Sequence, residues 1–241
     1  MSASRATRVR GRRILRVVAL AGTLIVALLL AGWALVLAFV GQEYRIPSVA
    51  MAPTVKPDDR VVVNKLAYRS HPPRPGDIVV LRAPAHWNVG YPSPRSANPV
   101  LRGAQDALAL FGLGAPDDHA IVTRVIAVGG QTVECRMETG VTVDGTPIAQ
   151  PYLDKTALEV DPALLPCLGS AFGPVTVPAG RLWVMGDNRT HSADSRVYCA
   201  HVQAHVERGV LCTGDPASGT VAVDDVIGLV WSVQPGGSQI R

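Results

Sequence analysis

Lysine is scarce in this 241-residue chain: Lys56, Lys65 and Lys155 are the whole set, and arginine supplies the other twenty of the 23 basic residues. Chemistry that needs a lysine amine therefore has three positions to draw on. Acidic residues are missing from the first sixteen positions, where Arg5, Arg8, Arg10, Arg12, Arg13 and Arg16 stand. Setting those six aside leaves 17 basic against 19 acidic groups, so the formal charge of +4 belongs to the terminus alone. A domain with that balance lacks the basic face of a nucleic-acid binder, and no nucleic-acid partner is expected. No C-x2-C pair occurs, which removes the zinc-knuckle spacing. Nothing in the sequence calls for a cofactor.

Charge is also absent from Val17 to Val40, 24 residues that as a helix would span about 36 Å against a hydrocarbon core of roughly 30 Å. A cleaved signal peptide has a shorter apolar core, about 7 to 15 residues, closing in small residues at an A-x-A-like site. This run closes with A-F-V-G-Q. The expectation is a single-pass anchor over residues 17–40 in the cell membrane. By the positive-inside rule, residues 1–16 form a cytoplasmic arginine-rich tail and 41–241 an extracytoplasmic domain.

Beyond the anchor the apolar residues come in short β-branched runs: Arg60 to Leu66, Asp77 to Leu81, Ile121 to Val128, Val141 to Val143, Leu182 to Met185 and Val226 to Val233. Turn pairs separate them, including Pro75-Gly76, Gly129-Gly130 and Pro235-Gly236-Gly237. Asp144-Gly145 inside V-T-V-D-G-T-P-I marks a type I′ hairpin. Residues 84–119 interrupt this pattern and read as an insertion, with Leu101, Ala104, Leu108 and Phe111 on one face of a short packing helix.

Cys135, Cys167, Cys199 and Cys212 all fall on the outer side of the proposed membrane, where disulfides persist. The short separation of Cys199 from Cys212 pairs those two and leaves Cys135 for Cys167. The competing reading is a metal site, because Cys199, His201, His205 and Cys212 are spaced C-x-H-x3-H-x6-C. The compartment favours the disulfide, and no metal is expected. His71, His86, His119 and His191 have no partner spacing.

Three segments carry the chemistry: I-P-S-V-A-M-A-P-T-V at Ile46 to Val55, T-R-V-I-A-V-G-G-Q-T-V at Thr123 to Val133, and M-G-D-N-R-T-H-S-A-D-S-R at Met185 to Arg196. In this order after an anchor they resemble the type I signal peptidases, membrane-bound serine endopeptidases that cut signal peptides from exported preproteins after a small-x-small sequence. The third segment matches the family pattern G-D-N-R-x-x-S-x-D-S-R at every defining position. The resemblance implies a mostly β fold: a two-sheet antiparallel extracytoplasmic domain behind one N-terminal transmembrane helix, resting on the bilayer.

It also implies a mechanism. In this family a serine attacks the amide and a buried lysine takes its proton, which demands that apolar surroundings lower the amine's pKa from about 10.4. The serine position is Ala50 and the lysine position is Thr123, so both members of the dyad are replaced. Ser48 matches the oxyanion-hole serine, and the amide of residue 50 would be the second oxyanion donor. Ser192 matches the residue that supports the lysine. Ile46, Pro47, Met51, Ile121 and Val122 match or adjoin the substrate pockets. Arg124, Gly186, Asp187, Asn188, Arg189, Asp194 and Arg196 are read as structural, the last two as an ion pair. Each of the three lysines reads as a solvated charge.

The expectation is a catalytically silent homologue that binds signal peptides or preproteins, or that acts on an active signal peptidase or the secretion machinery. The alternative is an active signal peptidase I, here as an inactivated variant or with an unrecognised nucleophile. A structural membrane protein that has lost peptide binding is the third reading.

Overall fold

A computed structural model describes residues 3–39, 42–87, 96, 98–110, 120–153, 166–202, 212 and 216–236. Phe111, His119, Lys155 and His205 lie outside them. The chain opens with helix α1 (Ala3–Phe39), 37 residues and so about 55 Å long. Its segment Arg16–Ala34 is long and apolar enough to cross a membrane, and none of it is buried against the rest of the protein. The helix hands over to β1 (Gln42–Arg45), which opens the β domain.

The remaining strands are β2 (Arg60–Asn64), β3 (Ile78–Arg82), β4 (Ala120–Val128), β5 (Thr132–Arg136), β6 (Gly140–Val143), β7 (Thr146–Pro147), β8 (Phe172–Thr176), β9 (Arg181–Met185), β10 (Val221–Ala222) and β11 (Val226–Gln234). They form two sheets in which every pairing is antiparallel. The larger runs β1-β2-β11-β3-β4-β9-β10 and the smaller β7-β6-β5-β8. The mostly β, two-sheet antiparallel fold with an N-terminal apolar helix is therefore the one expected.

Alternation along the strands divides the core. Val61, Val63 and Val80 pack with Ile46, Met51 and Val55 of the loop after β1, so this loop is pinned across one face of the large sheet. The other face carries Val79, Leu81, Val125 and Val184 with Trp87 and Tyr198. A third cluster, with Trp183 stacked on Phe172, joins the small sheet to β4 and β9. Cys135 on β5 is bonded to Cys167 across a Cα separation of 5.8 Å, within that cluster.

The β6–β7 hairpin turns at Asp144 and Gly145, both at positive φ (51° and 74°), as a type I′ turn requires. Helix α2 (Pro99–Leu110) forms where a short helix was expected. Its Leu101, Ala104 and Leu108 are exposed rather than packed. Helical periodicity thus located the element without fixing what it covers. Helix α3 (Ser195–Val202) starts where Asp194 caps it: the carboxylate accepts from the Arg196 amide at 3.2 Å.

Candidate active site

The loop from Ile46 to Val55 crosses the sheet because Met51 and Val55 are buried at 1% and 0% exposure, anchoring both ends of a polar turn. That anchoring leads the Val49–Ala50 backbone to the loop that follows β9. The Asn188 amide donates to the Ala50 carbonyl at 3.0 Å, and Asn188 Nδ2 donates to the Val49 carbonyl at 3.2 Å. Between them sits Gly186, which has room for nothing larger. A Cβ there would collide with the Ala50 carbonyl oxygen and the Ser192 side chain.

The second segment arrives through strand register. Arg124 on β4 pairs with Met185 on β9, so one step further Thr123 comes opposite Gly186. Thr123 is 3% exposed, and its Oγ1 has no hydrogen-bond partner among the described residues. Ala50 and Ser192 thus close on one glycine, and Thr123 stands one position along β4 from the last residue paired with β9. The loop offers a methyl group and the strand a short buried hydroxyl, neither of them a nucleophile matched to a base.

Asp187 fastens all three segments. Its carboxylate receives Arg124 Nε at 2.8 Å and Nη2 at 2.7 Å, and Thr54 Oγ1 donates to it at 2.6 Å. The Arg124 and Asp187 side chains are 10% and 0% exposed, so this is a buried bidentate pair, geometrically specific as well as strong. Arg124 also donates to the Gly76 carbonyl at 2.7 Å and lies 3.8 Å from the centroid of the Tyr152 ring. Arg189 reaches the Gly186 carbonyl at 3.0 Å and the Tyr152 hydroxyl at 3.2 Å, and its burial lowers the guanidinium pKa. Asp194 holds Arg196 through two bonds of 2.7 and 2.8 Å and accepts the Gly186 amide at 3.0 Å. Arg196 in turn donates to the Arg189 carbonyl.

Three features differ from the sequence expectation. Ser48 Oγ accepts the Ala50 amide at 3.0 Å, so the two expected oxyanion donors are bonded to each other. A serine two residues before an amide closes this local turn readily. Ile121 and Val122, which match or adjoin the substrate pockets, face opposite sides of the sheet because neighbours on a strand alternate. Val122 packs beside Ile46 and Met51, while Ile121 joins Val79 and Leu81; Pro47 is exposed. Lys56 is exposed, but Lys65 is half-buried and desolvation lowers its pKa. It follows β2, with β11 and β3 between β2 and β4. Three strand spacings, about 14 Å, separate it from the Thr123 strand. Thr54, Gly76 and Tyr152 were missed; a tyrosine and a threonine in loops carry no sequence signal for arginine or carboxylate partners.

Residues 15–233 match the family described as signal peptidase, peptidase S26. The chain belongs to this signal peptidase family. It is 53% identical over 204 residues to signal peptidase I of Mycobacterium tuberculosis, covering 81% of this chain and 66% of that protein. It is 52% identical to the probable signal peptidase I of Mycobacterium leprae over 81% of this chain and 70% of the relative. The chain thus spans a little under two thirds of the M. tuberculosis protein. A crystal structure of a signal peptidase I from Enterococcus faecalis aligns over 66% of this chain and 96% of its own, at 22% identity and a TM-score of 0.36. Within this signal peptidase chain, every residue that fastens the three segments is in place around Ala50 and Thr123.

Proposed function

We propose that this member of the signal peptidase family is catalytically silent and holds signal peptides or exported preproteins without cutting them. The observation that carries the reading is the pairing of an intact fastening, Arg124–Asp187–Thr54, with Ala50 and Thr123 at the dyad positions. Loss of the nucleophile or base leaves only about 10³ to 10⁴ over the uncatalysed rate, negligible for an amide bond. Peptide holding is supported by the edge of β4. Residues 120–124 pair with β3 on one side, whereas β9 covers the other side only from Arg124 onward. Among the described residues no strand pairs with the 120–122 edge, which suits an extended peptide added as a strand.

In this reading α1 is a retained anchor, the arginine tail is cytoplasmic and the β domain lies outside at the bilayer surface. The partners are the lipid bilayer and signal-peptide-bearing preproteins, with an active signal peptidase or the secretion machinery as the regulatory counterpart.

The test incubates the full chain in detergent with a preprotein bearing an A-x-A site, beside the Ala50→Ser, Thr123→Lys double variant. The expected result is no cleavage by the native chain, cleavage by the double variant, and photocrosslinking of the signal peptide to both. Cleavage by the native chain overturns silence; absence of a crosslink overturns peptide holding.

A further inference from the structure

Cys199 and Cys212 take no part in the site chemistry, yet the fold brings them together. Both are buried, at 0% and 1% exposure, in the cluster that joins the two sheets. Cys199 lies on α3 three residues after Arg196, and the Cys212 thiol donates to the Arg196 carbonyl at 3.6 Å. Arg196 lies one helical turn before Cys199, so this bond sets the Cys212 sulfur against the turn of α3 that carries Cys199. They are adjacent sulfhydryls where the sequence pairs them as a bridge.

Their backbones are fixed from two directions. The 3-10 turn Pro216–Gly219 packs so closely on α3 that a Cβ at Gly219 would lie 2.6 Å from the Cys199 Cβ. Cys212 is held at φ +62°, a left-handed conformation that a β-carbon disfavours and that persists only where the surroundings impose it.

We propose that in the mature protein Cys199 and Cys212 are joined by a disulfide that clamps α3 and, through Arg196 and Asp194, the Gly186–Arg196 segment of the peptide-holding site. The proposal rests on the reading that the β domain lies outside the cytoplasm. The oxidant is a protein disulfide donor of that compartment. One cysteine thiolate attacks the donor disulfide to give a mixed disulfide. The second thiolate displaces the donor as its dithiol, so the chain loses two protons and two electrons and the donor gains them. In the folded thiol form, the hydrogen bond to Cys199 and burial both push the Cys212 thiol up.

The bond would connect a redox event to the site by covalent steps and short hydrogen bonds: Cys212 to Cys199, α3 to the Asp194–Arg196 pair, Asp194 to the Gly186 amide, and Gly186 against Ala50 and Ser192.

The experiment lyses cells carrying the full chain directly into denaturant with N-ethylmaleimide and maps the cysteines by mass spectrometry without reduction. The expected result is no alkylation before reduction, with the Cys199 and Cys212 peptides linked. Alkylated Cys199 and Cys212 beside an intact Cys135–Cys167 bond overturns the proposal while leaving the location standing. Alkylation of all four places the domain in a reducing compartment and overturns both. The clamp is read by hydrogen exchange: Cys212→Ser should speed exchange of the Gly186 and 194–199 amides about tenfold relative to the oxidised chain. Equal rates in the variant and the oxidised chain overturn the clamp.

Discussion

Asp187 shows how much of the third segment is architecture. Its carboxylate is wholly buried and satisfied by Arg124 and Thr54. Asp187→Ala leaves the Arg124 guanidinium buried without its counter-ion, at a cost of about 3 to 5 kcal/mol, read from denaturant unfolding in detergent. Gly186→Ala acts by a different route, forcing a methyl group into the Ala50 carbonyl and Ser192. Overpacking of this kind costs about 1 to 3 kcal/mol, and the loop from Ile46 to Val55 should be the first to exchange its amides. On the proposed reading, restoring cleavage needs two changes together. Ala50→Ser supplies a hydroxyl without a base and Thr123→Lys a base without a nucleophile, so each alone should stay at background. The double variant should cleave an A-x-A preprotein at least about 10³-fold faster than either. The buried Thr123 Oγ1, without a hydrogen-bond partner among the described residues, marks where the amine of the variant would enter.

Among elements, the loop after β1 is tied at its exit as well as at Asn188. Asp59 accepts the Lys56 amide at 2.8 Å and the Gly236 amide at 3.0 Å, joining this loop to the chain just past β11. Those backbone donors hold its carboxyl below the usual carboxylate range. A carboxyl depressed on folding contributes stability above its unfolded pKa of about 3.9, and that contribution is lost as pH falls through the folded value. Asp59→Asn should therefore flatten the decline in melting temperature below about pH 4 while changing little at pH 7 beyond the loss of the ionic hydrogen bonds. The Cys135–Cys167 bond closes a sequence separation of 32 residues beside β5. Its removal by Cys167→Ser should cost about 3 to 4 kcal/mol.

The elements that the sequence displayed are those whose pattern is local. β2, β3, β4, β6, β9 and β11 each fill a run of valine, isoleucine or leucine, and the Asp144-Gly145 turn has the conformation that its residues favour. β1 (Q-E-Y-R) and β8 (F-G-P-V-T) were not visible. A charged edge strand and a strand holding glycine and proline are stabilised by their neighbours rather than by composition. The site divided in the same way. Motif order located Ala50, Thr123 and Asp187. The stacking of Arg124 on Tyr152 arises from contact between separate segments, whereas the Ser48 turn and the opposite facing of Ile121 and Val122 are local consequences of turn and strand geometry.

For the whole molecule, α1 and the β domain are separable in energetic terms. The span Arg16–Ala34 buries none of its surface against protein, so it adds lipid affinity rather than fold stability. A chain beginning at Gln42 should keep the melting temperature of the full protein to within a few degrees and move from the membrane pellet to the soluble fraction. A large fall in melting temperature would show that the domain depends on its anchor.

The fastening at Asp187 also bears on how such chains are classified. Segments around Thr54, Arg124 and Asp187 are separated by up to 133 positions yet close on a single carboxylate. The fold needs the residues around that buried carboxylate whether or not the site cuts. A search for G-D-N-R and its flanks therefore sorts proteins by how they are tied together; on the proposed reading, positions 50 and 123 are what sort them by whether they cut. On that reading, genomes surveyed by the first criterion alone will count chains that hold signal peptides among those that cut them.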